Sequence, residues 1–308
     1  MKTKAKNWPF ALKMLTLLAQ VGTTNAAGVV LVPSSREKHP SHNAPTIEPA
    51  AAGCVETGSP KGFPETRKPQ ASVETLKPMN ILHIETSTEI CSVALSSDGQ
   101  CLTEEVDLKG PSHAQVLAGF VDSVVSFADS HALPLDAVAV SSGPGSYTGL
   151  RIGLSTAKGV CFGRNLPLIA VPTLKVVSTP LLLHEELPED ALLCPMLDAR
   201  RMEVYTALYD RALRPVVDVH AAVIAEDSFA EQLAERPVYF FGGGAAKCKD
   251  LLVHPNAHFV DDVRPLARHM FPLAEMAFLR GQFEDVAYFT PFYLKEFVPG
   301  VAKNPIVG

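Results

Sequence analysis

Residues 81–108 read ILHIETSTEICSVALSSDGQCLTEEVDL, and the fold follows from how this stretch divides. Ile81–Glu85 is a short apolar run that reads as a buried strand, and Cys91–Leu95 alternates as its neighbour. Ser97, Asp98 and Gly99 supply hairpin chemistry before a third strand over Leu102–Leu108. Ser112 and Gln115 have the spacing of a capping box, and a helix follows. That helix sets Val116, Phe120 and Val124 on one stripe, with Leu117, Val121 and Val125 beside it; so broad an apolar face needs partners on both flanks. A strand over Ala137–Ser141, a glycine-rich loop, a helix from Gly149 and a strand over Leu168–Val171 complete the unit.

The same order then repeats. Leu192–Leu197 reads as a strand, Glu203–Tyr209 as its hairpin neighbour and Pro215–Val219 as a third strand. A helix over Asp227–Glu235, a strand over Val238–Phe241, a Gly242-Gly243-Gly244 turn and a helix through Leu252 follow. A strand at His258–Val260 and a helix over Leu266–Leu279 close the unit. A strand-strand-strand-helix-strand-helix unit written twice predicts an α/β chain of the duplicated ribonuclease-H-like class, that of actin, hexokinase and Hsp70. The expected architecture is two mixed-sheet lobes, 79–185 and 186–308, with a cleft between them.

Composition changes near residue 79. The 308 residues carry a net charge of −6, but residues 1–78 hold ten Lys and Arg against five Asp and Glu, leaving −11 for the rest. Nine of the 25 prolines also fall before residue 79, so this segment is expected to be disordered. Lys2, Lys4 and Lys6 ahead of an apolar stretch from Phe10, then Ala26 and Ala27, resemble a secretory signal, but Lys13 interrupts it. Met79 opens a strand directly, so residues 1–78 are expected to be an extension of the start site and the protein to be cytoplasmic. No uncharged run reaches the length of a membrane span. The acidic balance argues against gripping nucleic acid by bulk charge. Cysteines 54, 91, 101, 161, 194 and 248 form no C-x-x-C pair, which argues against a zinc ribbon.

In this fold class a nucleotide lies in the cleft with its phosphates against the hairpin turns. Glu85, Thr86, Ser87 and Thr88 form the first turn, where hydroxyls and a carboxylate suit an anion and a hydrated metal. Local turn closure explains the same residues and is the reading preferred for this half-site. The loop from Gly143 through Gly145 to Gly149 lies between a strand and a helix but lacks the P-loop ending. Gly149, Gly153 and Ala157 recur every fourth residue, leaving one helix face nearly bare for either the chain's own sheet or a partner helix. Asp198, followed by Arg200 and Arg201, marks the second hairpin; Gly242, Gly243 and Gly244 mark the adenosine-side turn. For catalysis there is no G-x-S-x-G elbow and no H-E-x-x-H, and His113 has no second His at ligand spacing.

Residues 81–95, together with Ser142–Gly153, Asp198–Tyr205 and Pro291–Lys295, resemble the bacterial TsaB (YeaZ) family of the glycoprotease-like superfamily. The resemblance runs from Met79 to about Phe297. It implies a subunit of the machinery that adds threonylcarbamoyl to the adenosine beside the anticodon of ANN-decoding tRNAs. It further implies a non-catalytic dimerisation and scaffold role beside a TsaD-like transferase and a TsaE-like ATPase, with a homodimer when alone. No cofactor of its own is expected, ATP and a metal ion being held by the partner subunits, and tRNA is met through the complex. Val116, Phe120, Gly149, Arg151, Gly153 and Ala157 are the expected partner and dimer surface, and the cleft residues above a vestigial nucleotide site. The superfamily's peptidase name finds no nucleophile–base or metal pair here. The competing expectation is a stand-alone actin-class small-molecule kinase or ATPase.

Overall fold

The computed structural model describes residues 78–110 and 112–295; the proposed disordered extension lies outside the described residues. The first unit runs β1 (Asn80–Glu85), β2 (Cys91–Ser97), β3 (Gln100–Asp107), α1 (His113–Ser130), β4 (Ala137–Gly143), α2 (Tyr147–Arg164) and β5 (Leu168–Pro172). Helix α3 (Thr173–His184) leads into β6 (Leu192–Asp198), β7 (Glu203–Tyr209), β8 (Pro215–Val223), α4 (Ala230–Glu235), β9 (Val238–Phe241) and β10 (Ala257–Val260). Helix α5 (Phe271–Leu279) follows. The two five-stranded sheets have orders β3-β2-β1-β4-β5 and β10-β9-β6-β7-β8, one order written twice. In each, three antiparallel strands are extended by two parallel ones, β1 with β4 and β6 with β9. This is the duplicated ribonuclease-H-like architecture.

Helix α3 joins the two sheets. Its Leu174, Val177 and Leu181 pack with Leu193, Leu197 and Phe241 of the second sheet. Val176, on another face, packs with Ile81, Ala139 and Val171 of the first. The chain then crosses back: Met270 and Ala274 lie in that same cluster, so the closing helix packs on the first sheet.

Several elements differ from their sequence reading. Ser112 precedes α1 but caps nothing; its hydroxyl donates to the Asp107 carboxylate and to the Gly110 carbonyl. Phe229 takes a left-handed φ of 63°, which delays α4 to Ala230. The helix expected through Leu252 is one 3-10 turn, Ala246–Cys248. The helix expected from Leu266 splits into a 3-10 turn, Ala267–His269, and α5, because Pro272 has no N–H to extend α5 backwards. Strand β8 runs on to Val223. Among the described residues no helix is long and apolar enough to cross a membrane.

On α5, Glu275 is buried and its Oε1 accepts the Gly99 N–H at 2.8 Å, tying the helix to the β2–β3 hairpin. Burial, aided by the Asp98 charge, pushes its carboxyl up to about 7. A raised carboxyl favours folding while protonated, so this contribution is complete below about 4.5, the unfolded value, and is lost as pH rises through about 7. Urea melts from pH 5 to 8 should therefore show the parent losing stability relative to Glu275→Gln; parallel curves would refute this.

Candidate functional site

The first turn is closed from within. Glu85 is fully buried, and its Oε1 accepts the Ser87 N–H at 2.7 Å. Burial raises its carboxyl, outweighing the hydrogen bonds from Ser87, Ser141 and Thr86 that lower it. Thr88 Oγ1 accepts the Ile90 N–H at 3.3 Å. Thr86 points away from any ligand: its hydroxyl donates to the Gly149 carbonyl of α2 at 2.9 Å.

Gly145, Gly149 and Gly153 are accounted for by that turn. A Cβ on Gly149 would lie 2.1 Å from the Thr86 carbonyl oxygen, and one on Gly153 would lie 2.1 Å from Thr86 Oγ1. A Cβ on Gly145 would lie 2.3 Å from the Ser87 carbonyl oxygen, which also accepts the Ser146 N–H at 2.6 Å. Gly143, with φ +104°, is crossed by the carbonyl of Phe292, 2.4 Å from where its Cβ would be. Gly149, Gly153 and Ala157 are buried inside their own lobe. The bare face of α2 receives the β1–β2 turn, so these three residues are not offered to a partner helix, and their place in the expected interface is corrected.

The second half of the cleft is likewise occupied by the chain. Asp198 Oδ1 accepts the Arg200 N–H at 2.9 Å and is paired with Lys247 Nζ. Hydrogen bonds from Lys247 and Arg200 hold its carboxyl below the usual range despite the opposing effect of burial. Arg200 and Arg201 are exposed, and both are left-handed, at 73° and 51°. Side chains other than Gly, Asn or Asp rarely hold such turns. Gly242 and Gly244 are pressed against Met196 and against Val204 and Leu197; a Cβ on Gly243 would meet open space. A metal-bridged phosphate requires free carboxylates and uncovered loop N–H groups. A buried, raised Glu85, a lysine-paired Asp198 and a loop filled by its own neighbours do not fit that group. His113 is a buried packing residue whose Nε2 lies 3.2 Å from the Ile90 carbonyl oxygen. Among the described residues no group of three or more His, Cys, Asp or Glu is placed to hold a metal.

What remains open is the outer side of α1 and α2. Val116 and Phe120 are half-buried and pack on the first core, while Arg151 is exposed and donates to Tyr147 Oη at 2.8 Å. Beside them a groove of about 430 Å³ runs between the helices, lined by Ala118, Val121, Asp122, Val125, Thr156 and Val160, with Gly163 and Arg164 at its end. A two-bonded Arg164–Asp129 pair (2.9 and 2.7 Å) ties the two helices there. Phe162 lies on another side of α2, away from the groove, and is 88% exposed. Val121 and Val125 were legible from the apolar stripe of α1; Ala118, Thr156 and Val160 were not singled out from sequence, and the available signal was the run of small residues Ala114, Ala118, Gly119 and Ser126 on the exposed side of α1.

A doubled ribonuclease-H-like chain with an internally filled cleft and an open helix pair belongs to the actin, hexokinase and Hsp70 fold class. Residues 108–296 match the family model described as "TsaD: tRNA N6-adenosine threonylcarbamoyltransferase". The chain is 31% identical over 226 residues to the Bacillus subtilis tRNA threonylcarbamoyladenosine biosynthesis protein TsaB, covering 70% of this chain and 94% of that one. It is 30% identical to the Escherichia coli protein of the same name, covering 70% and 95%. A crystal structure of a Pseudomonas aeruginosa protein with similarity to the peptidase YEAZ superposes with a TM-score of 0.60 at 27% identity, covering 70% of this chain and all of that one. The chain belongs to the TsaB family.

Two glycine substitutions on one helix separate packing from propensity. Alanine in a helix interior is normally favoured over glycine by about 1 kcal/mol. Gly159 faces open space, so Gly159→Ala should raise stability by up to about 1 kcal/mol. Gly153→Ala forces its Cβ into Thr86 and should lower stability by about 1–3 kcal/mol, as overpacking does. Denaturant melts read both; equal effects would refute the interlock.

Proposed function

We propose that this chain acts in tRNA threonylcarbamoyladenosine biosynthesis as a non-catalytic dimerisation and scaffold subunit. Its partner is a TsaD-type transferase that adds threonylcarbamoyl to the adenosine beside the anticodon of ANN-decoding tRNAs. Family membership supports the pathway. The observation that carries the supporting role is the contrast between the two candidate surfaces. Glu85, Asp198 and the glycines at 143, 145, 149, 153, 242 and 244 are engaged by the chain itself, whereas the α1–α2 face is open and carries an apolar groove.

Docking works here by shape. A groove lined by Ala118, Val125 and Val160 can receive an apolar side chain of a second copy or of the transferase, and a few well-packed buried anchors carry much of the energy of such contacts. One face serving both interactions makes the homodimer and the complex with the transferase mutually exclusive. The expected surface therefore moves from Gly149, Gly153 and Ala157 to Ala118, Val125, Thr156 and Val160. In this reading the subunit holds no cofactor of its own, ATP and a metal ion being bound by the transferase and a TsaE-like ATPase. The tRNA is met through the assembled complex. A stand-alone kinase would need a free carboxylate at each turn, and Asp198 is paired with Lys247.

Burying an unpaired charge is costly, so Thr156→Glu, in the groove, should weaken self-association by roughly tenfold or more. Ala118→Glu should do the same and abolish co-purification with the transferase, circular dichroism staying unchanged. Folded variants that still dimerise and still capture the partner would overturn this surface. The chain given tRNA and a source of threonylcarbamoyl-AMP, without the transferase, should form no modified adenosine; product would refute the non-catalytic role.

A further inference from the structure

Residues 284–295 cross from one lobe to the other, with one turn at 285–289 closed by the Phe289 N–H donating to the Asp285 carbonyl at 2.9 Å. The Glu284 N–H donates to the Leu168 carbonyl at 2.9 Å, next to the first sheet's outer strand. Val286 and Phe289 pack on the first core, and Lys158 of α2 donates to the Ala287 carbonyl at 3.0 Å. The Phe292 N–H donates to the Ser142 carbonyl at 2.7 Å, and the Phe292 carbonyl lies over Gly143. The ring of Tyr293 sits 4.8 Å from that of Tyr147, at the first turn of α2. Lys295 then pairs with Glu203, the first residue of β7 in the second lobe.

We propose that this segment is a clasp, which holds the glycine-rich loop of the first lobe and the strained second hairpin together across the cleft. The contacts divide by strength. On the first lobe the segment is held by backbone hydrogen bonds, by the partly buried Val286 and Phe289 and by the crossing over Gly143. On the second lobe, among the described residues, it is held through the Lys295–Glu203 ion pair, with both partners partly exposed and therefore worth little on its own. That end is the one that releases. Glu203 is not left loose when it does, because Lys247 donates to its carbonyl at 2.7 Å and also pairs with Asp198. The hairpin carrying left-handed Arg200 and Arg201 is thus held by Lys247 from its own lobe and by Lys295 from the other. The ring of Tyr293 lies tilted against that of Tyr147, whose hydroxyl accepts from Arg151. The clasp therefore ends at the exposed start of α2, and a ligand engaging that corner meets the same residues that hold the lobes together.

Amide hydrogen exchange on the full chain tests this. Lys295→Glu sets two carboxylates against each other and should raise exchange severalfold in both 142–147 and 198–203, with little change in melting temperature. Exchanging the pair, Glu203→Lys with Lys295→Glu, should restore protection in both loops. Phe292→Pro removes the N–H donated to Ser142 and should loosen the same two loops by an independent route. Unchanged exchange in Lys295→Glu, a change confined to 142–147, or failure of the exchanged pair to restore protection would each overturn the clasp. If Phe292→Pro does not fold, the charge pair alone decides.

Discussion

The contact between Thr86 and the backbone of α2 is the constraint on which the first lobe is built. Thr86 comes from the turn after β1, and it reaches α2 where Gly149 and Gly153 leave no side chain. Its hydroxyl donates to the Gly149 carbonyl, in a region where an unpaired hydroxyl would be costly. With the turn lodged there, α2 is fixed against β1 and β4, and its opposite side is left facing outward beside α1. Glycine in a helix is unfavourable by about 1 kcal/mol relative to alanine; close backbone approach is the compensation. The same glycine-rich segment that looks like a phosphate cradle is therefore an internal joint.

A polar inner layer accompanies that joint. His83 is fully buried, with Nε2 2.7 Å from Ser96 Oγ, and burial alone lowers it to about 3. Glu85 is raised by burial, and Ser92 accepts the Ala267 N–H from the closing segment at 2.9 Å. These groups sit on a sheet face that an actin-class enzyme would turn to its ligand; here they meet the returning chain. Burial disfavours charge on both His83 and Glu85, and Ser92 and Ser96 make their hydrogen bonds within the chain. The second lobe reaches the same result with charge, Lys247 pairing with Asp198. Glu85 in the first turn is buried and Asp198 in the second is paired with Lys247, which is why function is placed on the helix pair.

The doubled strand order was legible because strands and hairpins are local: alternation, an Asp-Gly pair and apolar runs lie within a few residues of each other. The bare face of α2 was legible too, from the spacing of Gly149, Gly153 and Ala157, but its occupant was not. Thr86 lies 63 residues from Gly149, and nothing local says that a turn rather than a partner fills the gap. Lys247 and Asp198 are 49 residues apart, and Glu203 and Lys295 are 92 apart. The second half read less well for a different reason. Its helices are short, 3-10 turns replace two predicted helical stretches, and the left-handed Phe229 has no composition signature. Val116 and Phe120 were legible as surface of α1, but the groove on its α2 side was not, because small exposed residues such as Ala118 look like an ordinary solvated surface.

Whether the cleft is truly filled by the chain is the point on which surface and site readings part. Calorimetric titration of Mg-ATP into the isolated protein measures it most directly. The account predicts no saturable heat with or without magnesium, because Glu85 is buried, Asp198 is paired and the loop glycines are covered. Tight, metal-dependent binding accompanied by turnover would contradict it and return the function to the cleft.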